Sequence, residues 1–192
     1  RSRSPKISPK AARAAERAME AHRRGDLDGA ERDYCSALRH TPSHPELSFN
    51  LGLIYAQSGR SQQAVPLLET AAAANPDDPA ASVALANIQR ELGRPAQARA
   101  AYESVLAIDP THLNARYNLA TLAHEQGDLP SAQAHYKLML QAVPNDDGVW
   151  NALGSSWLET GDLRQANECL SRAHELAPEH IDILANLGFL RL

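Results

Sequence analysis

Aromatic side chains and cysteines are scarce in this 192-residue chain, and long apolar runs are missing. Aromatics make up only 5% of the residues although 43% are hydrophobic, so much of the apolar content is Ala and Leu. That composition favours helix over sheet. Cys35 and Cys169, the only cysteines, are too few for a metal framework, and their wide separation argues against an internal disulfide. No apolar run is long enough to span a bilayer, so this segment is not expected to insert directly into a membrane.

Lysine is also rare, and the charge is divided unevenly along the chain. Residues 1–40 carry a net charge of +4 and residues 41–192 a net charge of −8. An acidic body argues against a nucleic-acid partner, because phosphate contacts need a basic surface. Only Lys6, Lys10 and Lys137 are lysines, the other basic residues being arginine. Together with the many alanines, this usage is typical of high-GC genomes and suggests a bacterial source.

Signatures of catalysis are missing from the sequence. There is no P-loop, no Gly-rich dinucleotide turn and no nucleophile elbow on a strand. His44, His112 and His180 recur every 68 residues at equivalent places, which is typical of a structural role rather than of a metal site. We therefore expect no enzyme activity, no catalytic residue, no cofactor and no metal.

The compartment is only weakly indicated. No signal peptide is visible, but the chain starts at Arg1 rather than Met, which suggests a fragment or a processed form. A cytoplasmic location is favoured, and a periplasmic or membrane-anchored longer form stays open.

The chain repeats itself with a period of 34 residues. Glycine, alanine and proline each keep this period over five copies, which indicates stacked supersecondary units. The series are Gly25, Gly59, Gly93, Gly127, Gly161; Ala30, Ala64, Ala98, Ala132, Ala166; and Pro42, Pro76, Pro110, Pro144, Pro178.

Each unit reads as two helices joined by a short turn. Leu51, Ile54 and Tyr55 show the i, i+3, i+4 spacing of a first helix. The repeated Gly follows as a C-terminal stop, and an Asp such as Asp162 suits the N-cap of the second helix. The small residues Gly52, Ala86, Ala120, Gly154 and Gly188 would let the two helices approach closely.

These marks resemble those of the tetratricopeptide repeat family. The large residue appears as Trp150, the Leu-Gly pair as Leu153-Gly154 and the following aromatic as Trp157. The resemblance implies an all-α fold, a right-handed α-solenoid of helix-turn-helix units. It divides the chain into a flexible basic tail, 1–10, and an array, 11–192, with repeats 11–44, 45–78, 79–112, 113–146 and 147–180 and a partial sixth repeat, 181–192.

The resemblance further implies a concave groove, lined by the first helix of each repeat, that holds a peptide or protein segment. Counting repeat positions from residues 11, 45, 79, 113, 147 and 181, the lining comes from positions 2, 5, 6, 9, 12 and 13. The candidate groove residues are Asn50, Asn87, Arg90, Glu91, Tyr117, Asn118, Thr121, His124, Glu125, Asn151, Ser155 and Asn186. Glu46, Phe49 and Glu159 belong to the same face.

Asparagine recurs on this predicted face. Asn50, Asn118 and Asn186 share one repeat position, and the pattern partly resembles the asparagine ladder of O-linked N-acetylglucosamine transferase. A carboxamide can both donate to and accept from a peptide unit, so such a row could hold an extended backbone. The alternative is that Asn is a tolerated polar residue on a solvated helix face.

The charge on this face gives a hint about the partner. Glu91, Glu125 and Glu159 share one register and would prefer a neutral or basic segment, unless they are only a solvated row of charge. The Lys, Arg and Asn clamp by which chaperone-binding members of the family grip a carboxylate is not matched, because no lysine falls on the predicted groove.

The leading hypothesis is therefore a non-enzymatic interaction scaffold or adaptor. Two alternatives stay open: a substrate-recruiting region of a larger enzyme such as a glycosyltransferase or sulfotransferase, and a self-assembling structural protein. The apolar first helix of the sixth repeat favours end-to-end self-association through residues 181–192.

Overall fold

A computed structural model describes residues 6–190, and within that range every regular element is a helix. The eleven helices are α1 (Pro9–Arg23), α2 (Leu27–His40), α3 (Pro45–Gln57), α4 (Ser61–Ala74), α5 (Pro79–Glu91), α6 (Pro95–Ile108), α7 (Leu113–Glu125), α8 (Leu129–Ala142), α9 (Asp147–Thr160), α10 (Leu163–Leu176) and α11 (Ile181–Phe189). The predicted all-α class is confirmed, and α1 to α10 form five consecutive helix pairs.

The five repeated glycines end the first helix of each pair. Their φ angles lie between 69° and 81°, in the left-handed region where a side chain is strained. The backbone then closes with a Schellman-type bond, as where the amide of Asp26 donates to the carbonyl of Ala21 at 2.9 Å and that of Asp128 to Ala123 at 2.9 Å. The predicted C-terminal stop is confirmed, and it explains why glycine keeps the 34-residue period.

Aspartates start several of the second helices. Asp26, Asp128 and Asp162 are the N-caps of α2, α8 and α10, and each carboxylate accepts a hydrogen bond from the amide three residues later. Ser8 caps α1 in the same way, so this helix begins at Pro9, inside the segment 1–10 that the sequence assigned to a tail. Residues 1–5 of that segment, and residues 191–192 of the predicted partial sixth repeat, lie outside the described residues.

The chain divides into two compact units. The first, Arg1–Ile108, contains α1 to α6, and the second, Asp109–Leu192, contains α7 to α11. In the first unit, alanines of α1 and α2 pack with Tyr34, Leu47 and Ile54. A second cluster joins Leu68 of α4 to Ile88 of α5. In the second unit, Tyr136 and Leu153 lie in one apolar cluster, with Trp150 and Trp157 packed against it.

In each of the five repeats, a small residue of the first helix lies against a larger side chain of the second helix. A Cβ added to Gly52 would lie 2.9 Å from Leu68, and one added to Gly154 would lie 2.6 Å from Leu170. Only glycine allows these approaches, so the predicted close approach is confirmed at Gly52 and Gly154. In the other three repeats the same two positions hold Ala and Tyr, all of them buried: Ala18 with Tyr34, Ala86 with Tyr102, and Ala120 with Tyr136. Gly accompanies branched Leu, and Ala accompanies the flat ring of Tyr.

Among residues 6–190, no helix combines the length and the apolar character that crossing a membrane requires.

Candidate functional site

Each unit carries its own part of the predicted groove-lining face. Unit 1 holds Asn50 on α3 and Asn87, Arg90 and Glu91 on α5; unit 2 holds Tyr117, Asn118, Thr121, His124 and Glu125 on α7, Asn151 and Ser155 on α9, and Asn186 on α11. None of these side chains is fully buried. They form a polar surface above an apolar core, and several of them are already hydrogen-bonded to other side chains.

Hydrogen bonds link the first helices of successive repeats at a separation of 35 residues. In unit 1, His22 Nε2 lies 2.8 Å from Gln57 Oε1. In unit 2, His124 Nε2 lies 2.7 Å from Glu159 Oε1. The period of 34 plus one places the two side chains of each pair side by side on neighbouring first helices. Sequence reasoning missed His22 and Gln57, which could have been found by pairing positions 12 and 13 of adjacent repeats.

The asparagines in unit 2 follow the same rule. Asn186 Nδ2 donates to Asn151 Oδ1 at 2.9 Å, joining α11 to α9 through repeat positions 6 and 5. Asn118 is also engaged in an interaction. One bond uses one of two donors on Asn186 and one acceptor lone pair on Asn151, so hydrogen-bonding capacity is left on both carboxamides.

Two predicted groove residues hold buried tyrosines in place. The hydroxyl of Tyr102 donates to Asn87 Oδ1, and Thr121 is hydrogen-bonded to the hydroxyl of Tyr136. Both partners occupy repeat position 9, directly after the small residue at position 8 that receives the ring. A buried tyrosine hydroxyl needs a partner, so these two side chains serve the fold.

Burial is the largest cause of the raised pKa of Tyr34, Tyr55 and Tyr136. It raises the pKa of Tyr136, and the hydrogen bond with Thr121 partly offsets that effect. In unit 1, burial raises the pKa of Tyr55 to about 12, with Cys35 as the next cause, its sulfur 4.0 Å from the hydroxyl. Arg60 lies 4.6 Å from the centre of the Tyr55 ring and binds Glu31 through two nitrogens, at 2.6 and 3.1 Å.

The repeated histidines stand at helix starts, but they behave differently. His112 is the N-cap of α7, and its Nδ1 accepts from the amide of Ala115 at 3.1 Å. His44 is the N-cap of α3 without such a bond, and its Nδ1 is buried with no hydrogen-bond partner. His180 precedes α11 and is exposed. Within residues 6–190, no three His, Cys, Asp or Glu side chains are grouped so that they could hold a metal ion.

Two cavities open on the first helices of unit 1. One, of about 190 Å³, is bordered by Ile7, Met19, Tyr34 and Asn50. The other, of about 260 Å³, is bordered by His44, Phe49 and Asp78. Glu46 borders both cavities. These are features that the repeat pattern alone did not reveal.

Comparison with solved structures finds the same fold in several proteins. A tetratricopeptide repeat protein from Parabacteroides merdae ATCC 43184 is 19% identical with a TM-score of 0.88, over 95% of this chain and 73% of that one. MamA from Desulfovibrio magneticus RS-1 is 21% identical with a TM-score of 0.84, over 92% and 99%. YrrB, described as a TPR protein with an unusual peptide-binding site, is 18% identical with a TM-score of 0.80, over 93% and 92%. None of the curated proteins matches the sequence.

Family models agree with this structural likeness. One tetratricopeptide repeat model matches residues 15–79 and 55–112, and another matches residues 89–155. Because the matches extend over more than half of the sequence, and because the repeats fold as the resemblance implied, the chain belongs to the tetratricopeptide repeat family.

Proposed function

We propose that this chain is a non-enzymatic scaffold that binds an extended peptide or protein segment along its first helices. The observation that carries the proposal is the amide–amide bond between Asn186 and Asn151. It sets two carboxamides side by side on neighbouring helices, each partly exposed and each with remaining donors and acceptors. YrrB, which shares the fold, has a peptide-binding site.

An extended backbone presents N–H donors and C=O acceptors in alternation, and each asparagine carboxamide carries both kinds of group. Asn118 occupies the same repeat position as Asn186 and adds a further carboxamide to the row. Tyr117 adds an exposed ring on the same helix, its centre 6.1 Å from that of Tyr136. This surface would recognise main chain and apolar side chains, and the carboxylates of Glu125 and Glu159 favour a neutral or basic segment over an acidic one.

The test is a selection of random twelve-residue peptides on the purified chain, followed by affinity measurements on variants. The triple variant of Asn118, Asn151 and Asn186 to Ala should weaken selected peptides about 10-fold or more, because each lost hydrogen bond is worth roughly 0.5–1.5 kcal/mol. Asn167→Ala is the matched control, an exposed asparagine on the second helix α10. Unchanged affinity in the triple variant, with unchanged helicity, would refute the proposal.

A second candidate is self-association, favoured by the surface of α11. Ile181, Leu184 and Phe189 are 79%, 47% and 70% exposed, while Ile183 is the only side chain of this helix that is buried. Substituting Ile181 and Phe189 by Ser should abolish any concentration-dependent rise in mass measured by sedimentation equilibrium. A wild-type mass that stays monomeric up to high micromolar concentration would refute this candidate.

A further inference from the structure

A recess of about 430 Å³ in unit 2 is bordered by none of the candidate groove residues. It lies between the second helices α8 and α10, which both pack against α9 but hardly touch each other, so α9 forms its floor. The buried side chains of Leu140, Leu153 and Cys169 and the half-buried indole of Trp150 give it an apolar interior. Its volume and its apolar lining are those of a binding site.

The equivalent place in unit 1 is filled by a larger side chain. There, Leu67 occupies the repeat position of Cys169 and packs against the apolar core, and the buried Ser48 occupies the position of Trp150. Because a cysteine side chain is much shorter than that of leucine, the space that Leu67 takes up in unit 1 is open in unit 2. The recess therefore comes from the residues of one repeat and not from the repeat pattern itself.

Lys137 brings a positive charge to the recess that the fold does not neutralise. Its ammonium lies 4.7 Å from the ring centre of Trp157, and no carboxylate among residues 6–190 is within ion-pair distance of it. The other charged side chains of the lining, Glu168 and Arg172, already have partners of opposite charge, at 3.2 and 2.9 Å. The recess therefore favours a ligand that is apolar with an anionic group beside it.

We propose that this recess binds an amphipathic helix of a partner protein, which places a large apolar side chain inside it and a carboxylate beside Lys137. Most of the lining residues lie inside helices, so their backbone N–H and C=O groups are already bonded and offer nothing to an extended segment. A helix satisfies its own backbone and can pack between α8 and α10. The inference goes beyond the proposed function, because it adds a second partner site outside the first-helix groove.

Two substitutions change the recess in different ways. Cys169→Leu should fill it as Leu67 fills the equivalent space, and Cys169→Ala, which leaves it open, is the matched control. Lys137→Glu reverses the charge and removes only the contact with the ring of Trp157. Its control, Lys10→Glu, makes the same exchange at an exposed position of α1. Urea unfolding shows which variants are folded, and Lys137→Glu keeps the test open if Cys169→Leu is not.

The probe is the peptide fluorescein-Ala-Ala-Glu-Leu-Ala-Ala-Glu-Phe-Ala-Ala-Glu-Leu-Ala-Ala-amide. Its basic match has lysine at each glutamate, and its non-helical match has proline at two central alanines. Fluorescence anisotropy should give saturable binding of the acidic peptide, about 5-fold tighter than that of the basic one. The proline peptide should bind at least about 10-fold more weakly. The indole N–H signal of Trp150 should shift on binding in NMR spectra, with Trp157→Phe to assign it.

The variants should separate the apolar and the charged parts of the site. Cys169→Leu should weaken the acidic peptide about 10-fold, because the apolar side chain loses its place, whereas Cys169→Ala should change little. Lys137→Glu should abolish the preference for the acidic peptide, and Lys10→Glu should preserve it. The triple variant of Asn118, Asn151 and Asn186 to Ala should bind the helical peptide like the natural chain.

Several results would overturn the inference. They are equal affinity for the acidic and basic peptides, equal affinity for the helical and proline peptides, or unchanged affinity in folded Cys169→Leu. Binding that is lost in the triple asparagine variant would place the peptide in the first-helix groove instead. A concentration-dependent rise in mass that Cys169→Leu abolishes would assign the recess to a second copy of the chain. The proposed function does not involve Lys137 or Cys169, so its failure and the failure of this inference are distinguishable.

Discussion

The pairing of Gly with Leu and of Ala with Tyr leads to a prediction that can be measured as a coupling energy. In unit 2, Gly154 faces Leu170 on the paired helix, and Ala120 occupies the same repeat position as Gly154 with Tyr136 in place of Leu. If the two members of a pair are matched in shape, then changing one should be harmful and changing both should restore much of the loss.

Gly154→Ala alone should destabilise the unit. Replacing glycine by alanine inside a helix gains about 1 kcal/mol of intrinsic propensity. The new Cβ would lie 2.6 Å from Leu170 Cγ and 3.3 Å from the backbone nitrogen of Leu170, so helix backbone as well as side chain must move. Overpacking of this kind costs roughly 1–3 kcal/mol, so we expect a net loss of about 1 kcal/mol.

Leu170→Tyr alone should cost about 2 kcal/mol, because the ring replaces a branched side chain in a fully buried site. The double variant would reproduce the Ala–Tyr arrangement of the preceding repeat. Ser155 occupies the same repeat position as Thr121, so its side chain could accept a hydrogen bond from the hydroxyl of the introduced tyrosine. We therefore expect a total loss near 1 kcal/mol in the double variant and a favourable coupling of about 2 kcal/mol.

Urea unfolding followed by tryptophan fluorescence suits this test, because Trp150 and Trp157 are the only tryptophans and both lie on α9 beside the pair. The reverse exchange, A120G with Y136L, is the matched control and should show coupling of the same sign. Losses that add within about 0.5 kcal/mol in the two cycles would show that the Gly–Leu and Ala–Tyr pairs are not matched, and the reasoning would fail.

Three further predictions concern thiols, charge and capping. Burial raises the pKa of Cys169 to about 11, so only about 0.1% of this thiol is ionised at pH 8. Ellman's reagent should therefore modify Cys35 first and Cys169 only on unfolding, and the variant Cys169→Ala is the control. The hydrogen bond with Arg60 lowers the pKa of Glu31 in the folded protein. The pair therefore adds stability above pH 4.5, and this stability disappears as the pH falls through the lowered pKa of Glu31. Glu31→Gln should remove that pH dependence from thermal melts. Asp162→Ala should cost about 1 kcal/mol in urea unfolding, and Asp162→Asn almost nothing.

The fold could be predicted from the sequence because each repeat contains residues that end one helix and start the next. A glycine in the left-handed region ends each first helix, and an aspartate starts several of the second helices, whatever surrounds them. Five copies of such local rules leave little freedom for another arrangement. The positions that face water are also defined by the 34-residue period, which is why the candidate groove residues all lie on first helices.

The roles of those residues could not be predicted from the period. Asn87 and Asn151 look alike in sequence, yet Asn87 binds the hydroxyl of Tyr102 and Asn151 binds the neighbouring Asn186. The partner of each asparagine side chain depends on which residue, 15 or 35 positions away in the sequence, the fold places beside it. The difference between His44 and His112 arises in the same way, because equivalent backbone positions do not give equivalent side-chain contacts.

Gly188 provides the sharpest contrast between pattern and environment. It continues the Leu-Gly series of Gly52 and Gly154, and the sequence predicts the same close approach. In the structure, a Cβ added to Gly188 meets nothing within 4 Å. Gly188→Ala should therefore raise the stability of α11 by about 0.5 kcal/mol, less than the full propensity difference because the residue stands near the helix end. Gly154→Ala is the comparison at the same repeat position. Hydrogen exchange of the α11 amides in the monomeric chain measures the effect, and faster exchange in Gly188→Ala would mean that the open space beside this glycine is filled.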